Sequence, residues 1–303
     1  MLTDDDSARA RALAAALEPF VGQVYFSPEC HAAYEALGFG GSPMSTANGV
    51  AVPDGPAYFT SRAASMGQVP GPVAAAAFGV FDPAAVGFGI ARGWSLTDAA
   101  TIGAARSAGA VAQLARILGP APEGIERVAE LLARAGDGLQ PAGRPLFAGL
   151  SSRPVPDDPL AAAWLLGDRL REFRGDSHTA AWTSAGYDPT EISLVTEAWW
   201  GLPLRSYSRT RGWSAEALDA AVERLRAAGD LVGSDDGRGA LSDAGRARRM
   251  AVEATTDVPC RAIVANLGDD LEELVVVLQR WDDAIRAAAG YLPGGPHELA
   301  GRG

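Results

Sequence analysis

The stretch Pro159–Ser184 carries, at helical spacing, side chains that can do acid–base and ion-binding chemistry. At about 100° per residue, one face of the predicted helix collects the residues that we expect in the core: Leu165, Leu166, Leu170, Phe173 and Ala180. The other face, called the polar face below, comprises Trp164, Asp168, Arg171, Gly175, His178 and Trp182. Two tryptophans that frame an arginine and a histidine are not expected in water, so the pattern predicts a second buried surface.

Two interpretations of the polar face stay open. In one, it packs against another helix, and nearby carboxylates satisfy Arg171 and His178. In the other, it lines a hydrophilic cavity in which Arg171 binds an anionic group and His178 exchanges a proton, because histidine titrates near neutrality. Gly175 costs about 1 kcal/mol of helix propensity but opens room for an approach to the backbone. Arg174 and Asp176 flank the face and would contribute from its margins.

The sequence signatures of nucleotide-cofactor, hydrolase and metal sites are absent from the chain. There is no Gly-rich phosphate-binding loop, no Gly-x-Gly-x-x-Gly after a strand and no Gly-x-Ser-x-Gly elbow. The three histidines and two cysteines never cluster at metal-ligand spacing. We therefore expect neither a metal nor a cofactor, which leaves cofactor-free chemistry or plain ligand binding.

The composition favours a globular protein that avoids nucleic acid. The 303 residues are 48% hydrophobic and 21% charged, and the net charge of −11 repels phosphate backbones. The N-terminus lacks the pattern of a secretory signal, and the apolar run over 271–278 is far too short to span a bilayer. Cys30 and Cys260 stand alone and favour free thiols over a disulfide. These features predict a cytoplasmic protein with no membrane contact.

Hydrophobic periodicity and capping signals predict a mostly helical chain. Pro19 is expected to end the first helix, and the stretches 39–57 and 136–158 are predicted loops because they are rich in glycine and proline. An ordered piece is expected over 58–66. The predicted helices are 7–17, 27–37, 69–80, a long helix opened by Trp94–Asp98 that runs to Leu118, 122–135, 159–184 and 189–200.

From residue 203 the pattern becomes that of a winged helix. A helix over 214–228, two short strands at Leu231–Val232 and Ala240–Leu241 joined through Asp235-Asp236-Gly237, and a helix from Ser242 through residue 253 follow in that order. A last helix is predicted over 269–289. The predicted fold is mostly α, with a helical lobe that holds the candidate pocket (1–190), a winged-helix segment with a short β-hairpin wing (191–258) and a C-terminal helix packing on the core or a partner subunit (259–303).

The reading face of this winged helix is acidic. Leu218, Val222 and Leu225 form its predicted buried stripe, which places Glu216, Asp219 and Glu223 where a winged helix meets the major groove. Asp235 and Asp236 occupy the wing tip with only Arg238 to compensate them. The arginines on either side, among them Arg205, Arg209, Arg211 and Arg246, could still grip a DNA backbone. We favour a winged helix kept as a scaffold and keep a DNA-binding regulator as the alternative.

Several motifs resemble those of an actinobacterial helix-turn-helix family. Leu170-Arg-Glu-Phe-Arg-Gly-Asp-Ser-His178 resembles its Leu-Arg-Glu-x-Arg-Gly-Asp-x-His signature, and Tyr58-Phe-Thr-Ser-Arg-Ala-Ala64 resembles its Tyr-Phe-x-Ser-Arg-Ala-Ala. Val24–Glu29 and Leu241–Arg246 also agree with the family. The resemblance implies that Tyr58, Ser61 and Arg62 bind substrate, although a loop-to-helix corner with Arg62 paired internally stays open. Phe78-Gly-Val-Phe-Asp-Pro83 departs from the family's Phe-Tyr-Asn-Phe-Asn-Pro and indicates a reshaped pocket.

A narrower resemblance is to the branch of this family found in azinomycin-type antibiotic pathways, which forms an aziridine by intramolecular displacement of sulfate. That reaction needs a cation for the leaving group, a base for the amine and walls that exclude water. The resemblance implies that Arg62 and Arg171 hold the sulfate and that His178 or Asp176 takes the proton. Trp164, Trp182 or Trp199 would form walls. No cofactor is needed.

The predicted function is therefore a cofactor-free enzyme of secondary metabolism, a cyclase of the aziridine-forming kind being the specific hypothesis. Its substrate is expected to be an anionic small molecule, sulfated and either free or linked to a carrier protein. A ligand-responsive winged-helix transcription regulator is the alternative, and a non-catalytic metabolite carrier is the third hypothesis. Specific binding to duplex DNA at physiological salt separates the regulator from the enzyme.

Overall fold

The computed structural model describes residues 4–41, 50–52, 54–233 and 239–292. As predicted, the chain is mostly α-helical with one small antiparallel hairpin. The helices are α1 (Asp4–Gly22), α2 (Pro28–Ala36), α3 (Gly55–Ala63), α4 (Gly71–Phe78), α5 (Pro83–Trp94), α6 (Ala99–Leu118), α7 (Ile125–Ala135), α8 (Pro145–Ser151), α9 (Pro159–Ser184), α10 (Pro189–Trp199), α11 (Ala215–Ala227), α12 (Asp243–Leu267) and α13 (Asp270–Ala287), and the strands are β1 (Leu231–Val232) and β2 (Ala240–Leu241).

Most helices begin at an aspartate or serine whose side chain accepts a backbone N–H of the first turn, often with proline at the first helical position. Such a cap satisfies one of the amides that a helix start leaves unpaired. Because proline needs no partner there, it fits the same position. The capping residues are Ser27, Asp54, Asp82, Asp98, Asp158, Asp188, Ser214 and Ser242.

The central helix is α9, which packs against α1, α6, α7, α8 and α12. Leu166, Leu170 and Phe173 lie in the main core as predicted, whereas Ala180 is exposed because α9 reaches past the main core at its C-terminal end. Trp164, Asp168 and Trp182 on the polar face are buried as well. The predicted second buried surface is therefore confirmed.

The winged helix has the predicted element order, with α10, α11, the hairpin and the start of α12 around a core of its own. Leu231 pairs with Leu241 and Val232 with Ala240. The predicted stripe of α11 is buried, since Leu218, Val222 and Leu225 are each at most 2% exposed. The wing-tip residues Asp235, Asp236 and Arg238 lie outside the described residues.

Two helices contain an internal proline, and one of these, Pro19, was expected to end its helix. Pro19 sits within α1, and Pro259 sits within α12, which runs fourteen residues beyond the predicted end at residue 253. An internal proline costs about 3 kcal/mol or more in an isolated helix. Burial offsets this cost, because Phe20 and Val21 beside Pro19 and Cys260 beside Pro259 are at most 2% exposed.

Two helices lie where the sequence did not predict them. α8 falls within the predicted loop over 136–158, and α5 forms in a stretch with three glycines. Gly89 and Gly93 serve close packing there, because a Cβ at these positions would lie 2.7 Å from the Phe59 ring and 1.8 Å from the Thr60 hydroxyl. Glycine lacks a side chain, which lowers its helix propensity but lets α5 pack closely against α3 at these positions.

The predicted boundary at residue 258 falls in the middle of α12. The first half of this helix belongs to the winged-helix core through Val252, and the second half belongs to the main core through Ile263 and Val264. α9 likewise begins in the main core and ends, at Ala181 and Trp182, in the winged-helix core. Within the described residues, no helix is long and apolar enough to cross a membrane.

Candidate functional site

A cavity of about 870 Å³ lies where the main core, the α3–α5 cluster and the winged helix meet. Its walls come from α1, α3, α9, α12 and the segment that joins α10 to α11. The volume falls within the range of small-molecule sites. Most of the lining is apolar and aromatic, including Tyr25, Phe59, Phe78 and Phe81, with a small set of charged side chains among them.

Seven of the nine predicted site residues line this cavity: Tyr58, Arg62, Arg171, Arg174, Asp176, His178 and Trp182. Ser61 and Trp164 do not. The Ser61 hydroxyl donates to the carbonyl of Tyr58, and the Trp164 indole donates to the carbonyl of Val21 inside the main core. Both side chains are buried within the protein and do not reach the cavity.

Trp199 is not a cavity wall either, since Arg246 lies over its ring 5.4 Å from the centroid, within the winged helix. Asp168 of the polar face forms a buried ion pair with Arg106, at 2.6 Å. The polar face therefore divides in two. Its N-terminal half, with Trp164 and Asp168, is structural, and its C-terminal half, with Arg171, Gly175, His178 and Trp182, lines the cavity.

A chain of ion pairs crosses one side of the cavity. Arg171 binds Glu18 through two nitrogens, at 2.8 and 3.1 Å, and Glu172 at 3.0 Å. Arg62 holds the other side of Glu172, at 2.8 Å. Burial raises the pKa of Glu172, but Arg62 and Arg171 outweigh it and lower that pKa to about 2. Arg171 thus faces the cavity and is satisfied by carboxylates of the protein. Its binding of an anionic group stays a prediction.

Arg174 is also paired. It donates to Glu253 at 3.0 Å and to Asp257 at 3.3 Å, and Asp257 in turn accepts from Arg11 at 2.7 Å. These contacts join α9 to α12 and α12 to α1. The three arginines that were predicted to bind substrate therefore all carry carboxylate partners within the protein.

His178 lines the cavity with its tautomer set by a threonine. Its Nδ1 lies 3.0 Å from the Thr256 hydroxyl, and that hydroxyl donates its hydrogen to the carbonyl of Val252 at 2.8 Å. The hydroxyl can then only accept from His178, so Nδ1 carries the proton and Nε2 a lone pair. Burial lowers the pKa of His178 to about 4, so the ring is neutral at physiological pH.

Asp176 is a buried acidic group of the cavity that no arginine pairs with among the described residues. Its Oδ2 accepts the backbone N–H groups of Leu146 and Phe147, at 3.1 and 3.0 Å, at the first turn of α8. No hydrogen bond reaches its Oδ1 from the described residues. Burial raises the pKa of Asp176 to about 7, against the two amides that lower it. A carboxyl group with such a pKa can both accept and release a proton near neutrality.

Arg211 is a cavity cation that the sequence did not identify as one. Its guanidinium carbon lies 4.1 Å from the centroid of the Tyr207 ring and 4.6 Å from that of Phe81. Among the described residues it has neither an ion pair nor a side-chain hydrogen bond. In the sequence it is indistinguishable from Arg205 and Arg209, and the nearest signal is Gly212, whose φ of +85° lets the chain turn there.

Glu197 fixes the segment that carries Arg211. This fully buried carboxylate accepts the backbone N–H groups of Arg205, Tyr207 and Ser208, each at 2.6 Å. Arg205 adopts a left-handed φ of +67°, uncommon for a residue with a side chain. The three amides bend the backbone around the carboxylate, which places Tyr207 and Arg211 on the cavity wall.

The described residues contain no group of three His, Cys, Asp or Glu side chains that could hold a metal ion. Cys260 lines the cavity and Cys30 lies in the main core, and both are free. Burial raises the pKa of each thiol to about 11, so both stay protonated and are poor nucleophiles. The acid–base groups of the cavity are thus Asp176 and His178.

A helix-turn-helix family matches residues 10–293. No curated protein and no solved structure gives a significant match. The family match covers the helical lobe, the cavity and the winged helix together, so it concerns the whole architecture and not the α10–α12 segment alone. The chain therefore belongs to this helix-turn-helix family.

Proposed function

We propose that the chain is a cofactor-free enzyme that acts on an anionic small molecule in the cavity between its helical lobe and its winged helix. The observation that carries the proposal is that His178 and Asp176 both line one cavity. One offers a fixed lone pair at Nε2, and the other has a pKa of about 7. Perturbed groups that share a cavity are typical of active sites.

The specific reaction we propose is an intramolecular displacement that closes an aziridine, as the resemblance of the sequence implies. The nitrogen of a substrate amine forms a bond to the adjacent carbon, the carbon–oxygen bond to a sulfate breaks, and sulfate leaves with the electron pair. The proton of the amine passes to a base of the protein. Because nitrogen, carbon and leaving group belong to one molecule, the protein has to supply only orientation, a base and a cation.

The two acid–base groups divide these tasks according to their pKa values. A general base works best when its pKa lies near the working pH, and at about 7 Asp176 meets this condition. With a pKa of about 4, His178 is the weaker base, and its Nε2 lone pair is suited to accept a hydrogen bond from the amine and orient it. We therefore assign proton transfer to Asp176 and orientation of the amine to His178.

The walls of the cavity suit a reaction that must exclude water. Tyr58, Phe59, Phe78, Phe81 and Trp182 surround the charged groups, and all but Tyr58 are at most 9% exposed. Removing water strengthens each electrostatic contact to the leaving group and keeps a competing hydroxyl from the carbon centre. The substrate that this predicts has an apolar part beside its amine and its sulfate, whether it is free or linked to a carrier protein.

Turnover of a 2-amino alkyl sulfate ester tests the proposal. Released sulfate is measured by ion chromatography and the aziridine by proton NMR. The wild type is expected to release both in equal amounts, and Asp176→Asn and His178→Gln to do so at least a hundredfold more slowly. His31→Gln is the matched control, because His31 is buried but lies outside the cavity. Binding of the ester without turnover would refute the enzyme hypothesis and favour a non-catalytic metabolite carrier.

A ligand-responsive regulator is the second candidate, because the segment directly before α11 forms part of the cavity wall through Tyr207 and Arg211. A ligand there would contact the element that leads into the reading helix. Against it, Glu216, Asp219 and Glu223 lie exposed on that helix, where they repel phosphates. We expect no sequence-specific duplex binding at 150 mM salt in a mobility-shift assay, with or without the ester. A nanomolar, sequence-dependent shift would favour the regulator.

A further inference from the structure

The charges around the cavity are balanced on one side and unbalanced on the other. Arg62 and Arg171 share Glu18 and Glu172, so two positive charges meet two negative ones. Arg174 is held by Glu253 and Asp257. A ligand anion at any of these arginines would have to displace a carboxylate of the protein or share its arginine with one. These pairs therefore position the walls and are poorly suited to hold an anion.

The geometry of Arg211 is that of a cation prepared for a ligand. Tyr207 and Phe81 pack on its guanidinium, and their rings offer cation–π contact but no hydrogen-bond acceptor that could occupy its N–H donors. The backbone on both sides is tied down, since the carbonyl of Arg211 accepts the N–H of Asp82 at 2.9 Å and the indole of Trp213 donates to the carbonyl of Val80 at 2.9 Å. Its side chain is therefore held on the cavity wall.

The electrostatic setting of Arg211 also favours an anion. Burial, together with the nearby charges of Arg62 and Arg171, lowers its pKa to about 10. Both effects penalise the charged guanidinium. An oxyanion would compensate the charge at a site from which water is largely excluded, where a charged hydrogen bond is strong.

We propose that Arg211, and not Arg62 or Arg171, binds the anionic group of the ligand, and that this group is an oxyanion such as a sulfate ester on a molecule with an apolar, flat part. This inference rests on the proposed function for the position of the substrate. It assigns the leaving-group contact to the segment between α10 and α11. The amine then lies toward α9, where Asp176 and His178 are.

Binding of phenyl sulfate and of phenol to the full chain, measured by isothermal titration calorimetry, tests this assignment. The two probes share the ring and differ in the anionic group. Arg211→Gln is compared with Arg209→Gln, which removes the same charge two positions earlier in the chain, at an exposed position outside the cavity. We expect Arg211→Gln to weaken phenyl sulfate at least tenfold and to leave phenol unchanged, and Arg209→Gln to change neither by more than twofold.

A second measurement does not depend on a variant that folds. Phenylglyoxal modifies uncharged guanidine, and the modified arginines of the wild type are mapped by mass spectrometry with and without phenyl sulfate. Arg211 is expected to be among the most reactive arginines and to be protected by phenyl sulfate, whereas Arg209 is not protected. Protection of Arg62 or Arg171 instead of Arg211 would refute the assignment.

The outcomes separate the assignment from the proposed reaction. Equal binding of phenyl sulfate to the wild type and Arg211→Gln, or no preference of the wild type for phenyl sulfate over phenol, overturns the role of Arg211. If binding of phenyl sulfate requires Arg211 but no 2-amino sulfate ester is turned over, the anion site is supported and the proposed enzyme activity is refuted. If wild type and Arg211→Gln turn over the esters equally, the proposed enzyme activity is supported and the role of Arg211 in binding the anion is refuted.

Discussion

The hydroxyl of Thr256 on α12 accepts a hydrogen bond from Nδ1 of His178 on α9, at 3.0 Å, because its own hydrogen is committed to the carbonyl of Val252. A threonine that points back into its own helix thus decides which nitrogen of the histidine faces the ligand. Glu253 lies 3.8 Å from the same Nδ1 and supports the protonated nitrogen there. The proposed orientation of the amine depends on this contact.

Thr256→Val should remove the preference of His178 for the tautomer that carries its proton on Nδ1. Valine has nearly the shape of threonine but accepts no hydrogen bond, so the ring proton redistributes between the two nitrogens. Nitrogen-15 NMR of the histidine rings measures this directly at pH 7.5. In the wild type, Nδ1 of His178 should give a protonated and Nε2 an unprotonated shift. In the variant the two should move toward each other, while the signals of His31 stay unchanged. A wild-type Nε2 that is protonated would contradict the assignment.

His178 should make the stability of the protein fall as the pH drops below 6.5. Its folded pKa of about 4 lies below the ordinary value of 6.5, so in this window the unfolded chain binds a proton that the folded chain excludes. Between pH 7.5 and 5 this costs about 2 kcal/mol of the free energy of unfolding.

The measurement is urea unfolding of wild type and His178→Gln at both pH values. Other titrating groups are common to the two proteins, so their effects cancel in the difference. The wild type should lose about 2 kcal/mol more than the variant. An equal loss in both would mean that His178 is already protonated at pH 5 in the folded state.

The pH–rate profile should identify the proton acceptor. If Asp176 takes the proton, kcat/KM rises with pH up to a midpoint near 7, the pKa that burial gives this carboxyl group, and levels off above it. If His178 takes it, the rise ends near pH 4. Asp176→Asn keeps an oxygen that can accept the amides of Leu146 and Phe147, so it should stay folded. In Asp176→Asn, the midpoint near 7 should be absent from the pH profile of the small residual activity.

Arg171→Ala should destabilise the fold by about 3 kcal/mol, because Glu18 and Glu172 would then face each other with one cation fewer in a largely buried site. Adding Glu18→Gln should recover part of this loss. Arg116→Ala is the control, since Arg116 pairs with Glu29 at the surface, where an ion pair contributes about 0–1 kcal/mol. Chemical denaturation measures all three. A loss in Arg171→Ala no larger than in Arg116→Ala would show that the network does not stabilise the lobe.

The parts of the fold that follow local rules could be predicted from the sequence. α9 has the predicted bounds because Asp158 and Pro159 start it and no later proline interrupts it, and the hairpin has the predicted strands. The interior prolines and the glycines of α5 could not be interpreted locally. Their cost is offset by packing partners that are distant in sequence, such as Thr60 against Gly93.

The candidate site divides in the same way. Arg171 and His178 share one face of α9, so helical periodicity brings these two together before any tertiary structure is known, with Asp176 at the margin of that face. Arg211 reaches the cavity only through the bend around Glu197 and the contact with Phe81, which lies 130 positions earlier in the chain. No spacing in the sequence encodes that meeting. Conversely, Trp164 has the right helical phase but lies too far toward the N-terminus of α9 to reach the cavity.

The continuity of α12 bears on how such proteins can be recombined. This helix starts beside the hairpin and ends among α1, α7 and α13. The chain therefore has no loop between the winged helix and the helical lobe at which the winged helix could be exchanged by itself. A chimera joined at residue 258 would splice two half-helices from different parents and expose both interiors. We expect that grafts between relatives succeed only when they carry α12 whole, so the reading helix and the ligand chamber are inherited as one unit.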